Sequence, residues 1–150
     1  MTFKKALLLV PLLMLATPAM GRGDKEVELV GSNVDTETYS ISARRGTSGV
    51  AERGQLELRI QTKQGYTLDN DHAISVKMRA PAKHLEWGQK KLDRDDGQVS
   101  ADGTEYQLQI PFRAARIGDY PAKGKISFRM CREDGCKRVR RSFETAVVVH

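Results

Sequence analysis

Cysteine is scarce in this chain: Cys131 and Cys136 are the only two. They allow at most one internal disulfide, which excludes a disulfide-dense mini-scaffold. Histidine is nearly as rare. His72, His84 and His150 are scattered and make no ligand pattern with each other or with the cysteines, so a multi-histidine metal site is not expected. No phosphate-cradling glycine loop, no defensible Ser-His-Asp pattern and no paired carboxylates on a recognisable scaffold are present, and nothing calls for a cofactor. The acidic residues of Asp69, Asp71, Asp93, Asp95 and Asp96 lack calcium-loop spacing and read as solvated turns. Helical periodicity is also missing, with no convincing 3.6-residue period in any eleven-residue window.

Only one long apolar run exists, and it lies at the start. Lys4 and Lys5 precede the run Ala6 to Leu15, and small residues follow, with Ala19 and Gly21 at −3 and −1 of a cut after Gly21. That is the pattern of a secretory signal peptide over residues 1–21. The run is too short to stay in a bilayer as a spanning helix. The expected product is periplasmic or secreted, without a permanent membrane anchor. Its cysteines would meet an oxidising compartment.

What remains is rich in alternation. Residues 22–53 are the least defined: Val27, Leu29, Tyr39 and Ile41 suit one or two strands, and Arg44 to Gly54 reads as a loop. From Gly54 to the end, period-2 runs recur. Leu56, Leu58 and Ile60 form one, and Ile74, Val76 and Met78 another. Tyr106, Leu108, Ile110 and Phe112 follow, then Ile126, Phe128 and Met130. In the last run Val139, Phe143, Val147 and Val149 share one parity. Turn residues separate the runs, as in an all-β antiparallel sandwich or barrel of one domain. Trp87, the single tryptophan, fits a core position or a recognition loop equally well.

The one constellation with chemistry is Met130-Cys131-Arg132-Glu133-Asp134-Gly135-Cys136-Lys137. Asp134-Gly135 is a hairpin signal between alternating runs. A turn centred on Glu133 and Asp134 sets Cys131 opposite Cys136, within disulfide reach. Cys131 has the parity of Arg129 and Ser127, and Cys136 that of Arg138 and Arg140. Both sulfurs should therefore point away from the apolar face. Arg129, Arg132, Lys137 and Arg138 surround the pair and form a candidate partner surface. Nearby cations favour thiolate and so favour exchange. Three readings stand side by side: a staple for the hairpin, a redox-active pair, and a soft-metal site with Met130, which lacks a third strong ligand.

These residues carry a resemblance. Gly65-Tyr66-Thr67-Leu68, Ile74-Ser75-Val76-Lys77-Met78, the run Tyr106 to Phe112, and Gly124-Lys125-Ile126-Ser127-Phe128-Arg129-Met130-Cys131 with Cys136 resemble the N-terminal periplasmic domain of the thiol:disulfide interchange protein DsbD and its stand-alone exported relatives. The resemblance covers residues 54–150. It implies an immunoglobulin-like β-sandwich. It places Cys131 and Cys136 at the family's redox pair, with Cys136 as the attacking sulfur. It implies thiol:disulfide interchange with a thioredoxin-fold or membrane thiol oxidoreductase as partner. Four residues separate the cysteines here, against five in the DsbD domain, and Lys137-Arg138-Val139 replaces its aromatic-proline segment.

The other expectation is a non-enzymatic envelope module whose disulfide only pins the last hairpin. Lys and Arg number 25 against 19 Asp and Glu, a net charge of +6. The excess favours anionic partners in general, an anionic envelope surface among them. Export and the lack of interleaved aromatics argue against nucleic acid. Arg22-Gly23-Asp24 spells an adhesion tripeptide, a three-residue match that chance supplies often.

Overall fold

The computed structural model describes residues 33–150. Residues 1–21, where the sequence suggests a signal peptide, lie outside the described residues, as do Arg22-Gly23-Asp24, Val27 and Leu29.

Eleven strands follow one another: β1 (Val34–Asp35), β2 (Tyr39–Ser48), β3 (Arg53–Thr62), β4 (Thr67–Leu68), β5 (Ser75–Met78) and β6 (Leu85–Trp87). Then come β7 (Lys91–Asp93), β8 (Gly97–Val99), β9 (Glu105–Ala114), β10 (Gly118–Arg132) and β11 (Gly135–Val149). A 3-10 turn, Arg94–Asp96, sits between β7 and β8, capped by the Asp93 side chain. No helix among the described residues is long and apolar enough to cross a membrane.

The strands hydrogen-bond in the order β6-β9-β3-β2-β11-β10-β5-β7. Every pairing is antiparallel save one. β2 runs antiparallel to β3 through Arg44, breaks register before Thr47, and pairs its last residues in parallel with Val147–Val149 of β11. This switch folds the ribbon into two layers, β6-β9-β3-β2 and β11-β10-β5-β7. Two such layers packed over a common core make an immunoglobulin-like sandwich. The layers close on one core, and Tyr39 of β2 meets Phe128 of β10 edge to face at 5.7 Å between centroids.

The alternating runs bury as their parity requires. Leu56, Leu58, Ile60, Tyr106, Leu108, Ile110 and Phe112 face the core from one layer. Val76, Ile126, Phe128, Met130, Val139, Phe143 and Val147 face it from the other. Trp87 is core: it is buried, and its indole N–H donates to the Arg79 carbonyl at 3.0 Å.

The expected loop from Arg44 to Gly54 is corrected. β2 continues to Ser48 and β3 begins at Arg53, leaving four residues between them. Two of the three glycines that suggested a loop serve packing instead. A Cβ on Gly46 would stand 2.5 Å from the Phe112 ring, and one on Gly54 would stand 2.3 Å from it. They are strand positions emptied so that an aromatic ring can lie across them. β2 and the start of β3 are thus integral to the sandwich, which begins well before residue 54.

Candidate functional site

β10 and β11 form one long hairpin, in register from Gly118↔Val149 to Arg132↔Gly135, with Glu133 and Asp134 at the turn. Cys131 stands directly opposite Cys136, and the two are joined as a disulfide with a Cα separation of 4.0 Å. That spacing belongs to a non-hydrogen-bonded antiparallel pair, in which side chains come closest. Cys131 is half-buried and Cys136 exposed, while their neighbour Met130 is fully buried. The sulfurs therefore lie on the outward face, as parity indicated. Met130 points into the core on the opposite face, which removes it from the soft-metal arrangement.

β4 brings a further group. It pairs with β10 through Leu68↔Met130 and Thr67↔Cys131, and the Asp69 N–H donates to the Arg129 carbonyl at 2.9 Å. Leu68 faces inward with Met130, so Asp69, one residue on, faces outward beside the disulfide. A carboxylate oxygen of Asp69 and the two sulfurs lie within 4.8 Å of one another. The carboxylate is held by Arg129 Nε at 3.4 Å and His72 Nδ1 at 3.4 Å, and it accepts the Asp71 N–H at 3.0 Å. In the sequence Asp69 is indistinguishable from other turn acids. Only the pairing of β4 with β10 distinguishes it.

The four expected cations divide between two faces. Arg129 and Arg138 are cross-strand partners on the disulfide's own side, one residue pair away from it. Arg132 and Lys137 project to the other side. The Arg132 guanidinium lies 4.4 Å and the Lys137 ammonium 5.3 Å from the centroid of the buried Tyr66 ring. Arg132 also grips Asp134 through Nε at 2.6 Å and Nη2 at 2.9 Å. This pairing lowers the Asp134 carboxyl below the usual range and raises the Arg132 guanidinium. Arg132 and Lys137 thus stiffen the hairpin tip over Tyr66, while Arg129 and Arg138 supply the field at the sulfurs.

Chemically, the site is an outward disulfide with one sulfur exposed, two guanidiniums alongside, and a positioned carboxylate. Cations stabilise a departing thiolate, and a carboxylate beside it can relay a proton.

No family model matches the sequence, and no curated protein matches it. Among solved structures, AggA, the major subunit of aggregative adherence fimbriae type I from Escherichia coli, is 7% identical with a TM-score of 0.41. That match covers 79% of this chain and 99% of AggA. The PapD-like domain 7 of human CEP192 is 12% identical with a TM-score of 0.37, covering 89% of this chain and 98% of that domain.

Proposed function

We propose that the Cys131–Cys136 pair exchanges with the thiols of partner proteins outside the cytoplasm, as the resemblance to the DsbD N-terminal domain implies. The observation that carries this reading is the placement of the disulfide. It sits on the solvent-facing side of the hairpin, next to the Arg129–Arg138 cross-strand pair and against the Asp69 carboxylate. A disulfide serving only packing gains nothing from this company.

The exchange balances as follows. A partner thiolate attacks the exposed Cys136 sulfur, forming a mixed disulfide as the Cys131–Cys136 bond breaks. Cys131 leaves with the bonding electron pair, steadied by Arg129 and Arg138, and takes up a proton. A second partner thiolate then attacks the partner's sulfur in the mixed disulfide and releases Cys136. The partner dithiol becomes a disulfide, and two electrons and two protons reside on Cys131 and Cys136. Reversal runs the same steps backward.

The test is the reduction potential of the pair in glutathione buffers. A value well above about −300 mV supports exchange, and one below it marks a staple. Replacing both cysteines (Cys131→Ser with Cys136→Ser) should abolish exchange with thioredoxin-fold proteins. Undiminished exchange would sink the proposal. The second reading, a binding module with a pinned hairpin, draws on the unpaired cations of the same face. Under it, reduction lowers the melting temperature and leaves ligand binding intact.

A further inference from the structure

The outward face of β7, β5, β10 and β11 is ruled in rows by strand register. One row runs Lys91↔Lys77↔Lys125↔Ser142, and the next runs Asp93↔Ser75↔Ser127↔Arg140. Three lysines thus stand abreast on adjacent strands, about 4.8 Å apart at the backbone. Like charges directly opposite one another destabilise a sheet. Among the described residues, no ion pair relieves Lys77, Lys91, Lys125 or Arg140. The nearby acids are engaged elsewhere: Asp93 caps the 3-10 turn, and Glu144 pairs with Lys123 at 3.8 Å.

The short serines between long cations leave a groove of about 550 Å³, whose lining includes Ser75, Lys77, Lys125, Ser127, Arg140 and Ser142. That volume suits a small molecule rather than a bare ion. Its polar groups are three cationic side chains and three serine hydroxyls able to donate, beside apolar surface from the stems of the cations and Ile126. Among the described residues Val50 and Ile117 are the large exposed apolar side chains, and neither lines the groove. An interfacial lipid anchor would want such side chains.

We infer that this groove binds a phosphate monoester on a small polar carrier, of sugar-phosphate size. A phosphoryl group concentrates nearly two charges and three acceptor oxygens in a volume that the lysine row and the serine hydroxyls can meet together. The inference is independent of the redox reading, because the groove lies along the strands from the disulfide and uses neither cysteine.

The test is a titration of the 15N-labelled protein with glucose 6-phosphate, followed by amide shifts at Ser75, Lys77, Lys125 and Ser127. Succinate at matched ionic strength and vesicles of phosphatidylglycerol serve as comparisons. The expected result is saturable shifts confined to these strands, weakened at least about tenfold in the Lys77→Gln, Lys125→Gln double variant. That variant should fold and melt no lower than wild type, since it removes a repulsion. Lys83→Gln, outside the groove, should bind as wild type does. The inference is overturned by absent or non-saturable shifts, by equal shifts with succinate, or by undiminished binding in the double variant. It is also overturned if the protein responds to the vesicles and not to the sugar phosphate.

Discussion

A carboxylate oxygen of Asp69 stands within 4.8 Å of the Cys131 sulfur, although five strands separate the two residues in the chain. The contact follows from one short antiparallel pairing, Thr67↔Cys131, which delivers the next outward residue to the disulfide. Arg129 then holds the carboxylate from the same strand that carries Cys131. Charge of both signs is thereby fixed at the sulfurs, and each sign makes its own prediction.

Asp69→Asn should raise the reduction potential of the pair, because it removes a negative charge that opposes the reduced thiolate. Arg129→Gln should lower it. Each shift should be on the order of 10–30 mV, the scale of a kcal/mol for a two-electron couple. Asp69→Asn should also slow exchange at least about tenfold and alter its pH profile, as loss of a proton relay does. Glutathione equilibria and stopped-flow kinetics check both, and shifts of the same sign for the two variants would contradict the arrangement.

Gly54→Ala should destabilise the fold by about 1–3 kcal/mol, because its Cβ would sit 2.3 Å from the Phe112 ring. Urea denaturation measures the loss. Adding Phe112→Leu should recover part of it, and a full additive loss in the double variant would refute the packing argument.

Burial pushes the Tyr106 phenol up to about 12, with Asp96 and Asp93 adding to the effect. Its O–H donates to the Asp93 carbonyl at 2.6 Å. The folded protein therefore keeps its proton where the unfolded chain loses it at about 10. The contribution is present below pH 10 and lost as pH rises through 12. Tyr106→Phe should flatten this alkaline loss in pH-dependent denaturation.

At acid pH the sign reverses. Hydrogen bonds from the Ser100 and Thr104 side chains and the Thr104 N–H hold Asp102 at about 2. This stabilisation is complete above the ordinary value of 3.8 and disappears as pH falls through 2. Asp102→Asn should make the acid limb of the stability curve shallower, read by thermal melts between pH 2 and pH 5.

Parity alone carried much of this protein. The alternation from Leu56 through Val149 determined which side chains enter the core. A turn centred on Glu133 and Asp134 sets Cys131 against Cys136, and both point outward because a two-residue period leaves each side chain only two directions. Parity also separates Arg129 and Arg138 from Arg132 and Lys137. Which strands lie side by side is a different kind of fact, set by contacts between residues far apart in the chain. The switch of β2 from β3 to β11, the glycines beneath Phe112, Asp69 at the sulfurs and the three abreast lysines all depend on it. Each was decided only when two layers closed over one core, because pairing partners are chosen by the burial the whole sheet achieves and not by any segment's own pattern.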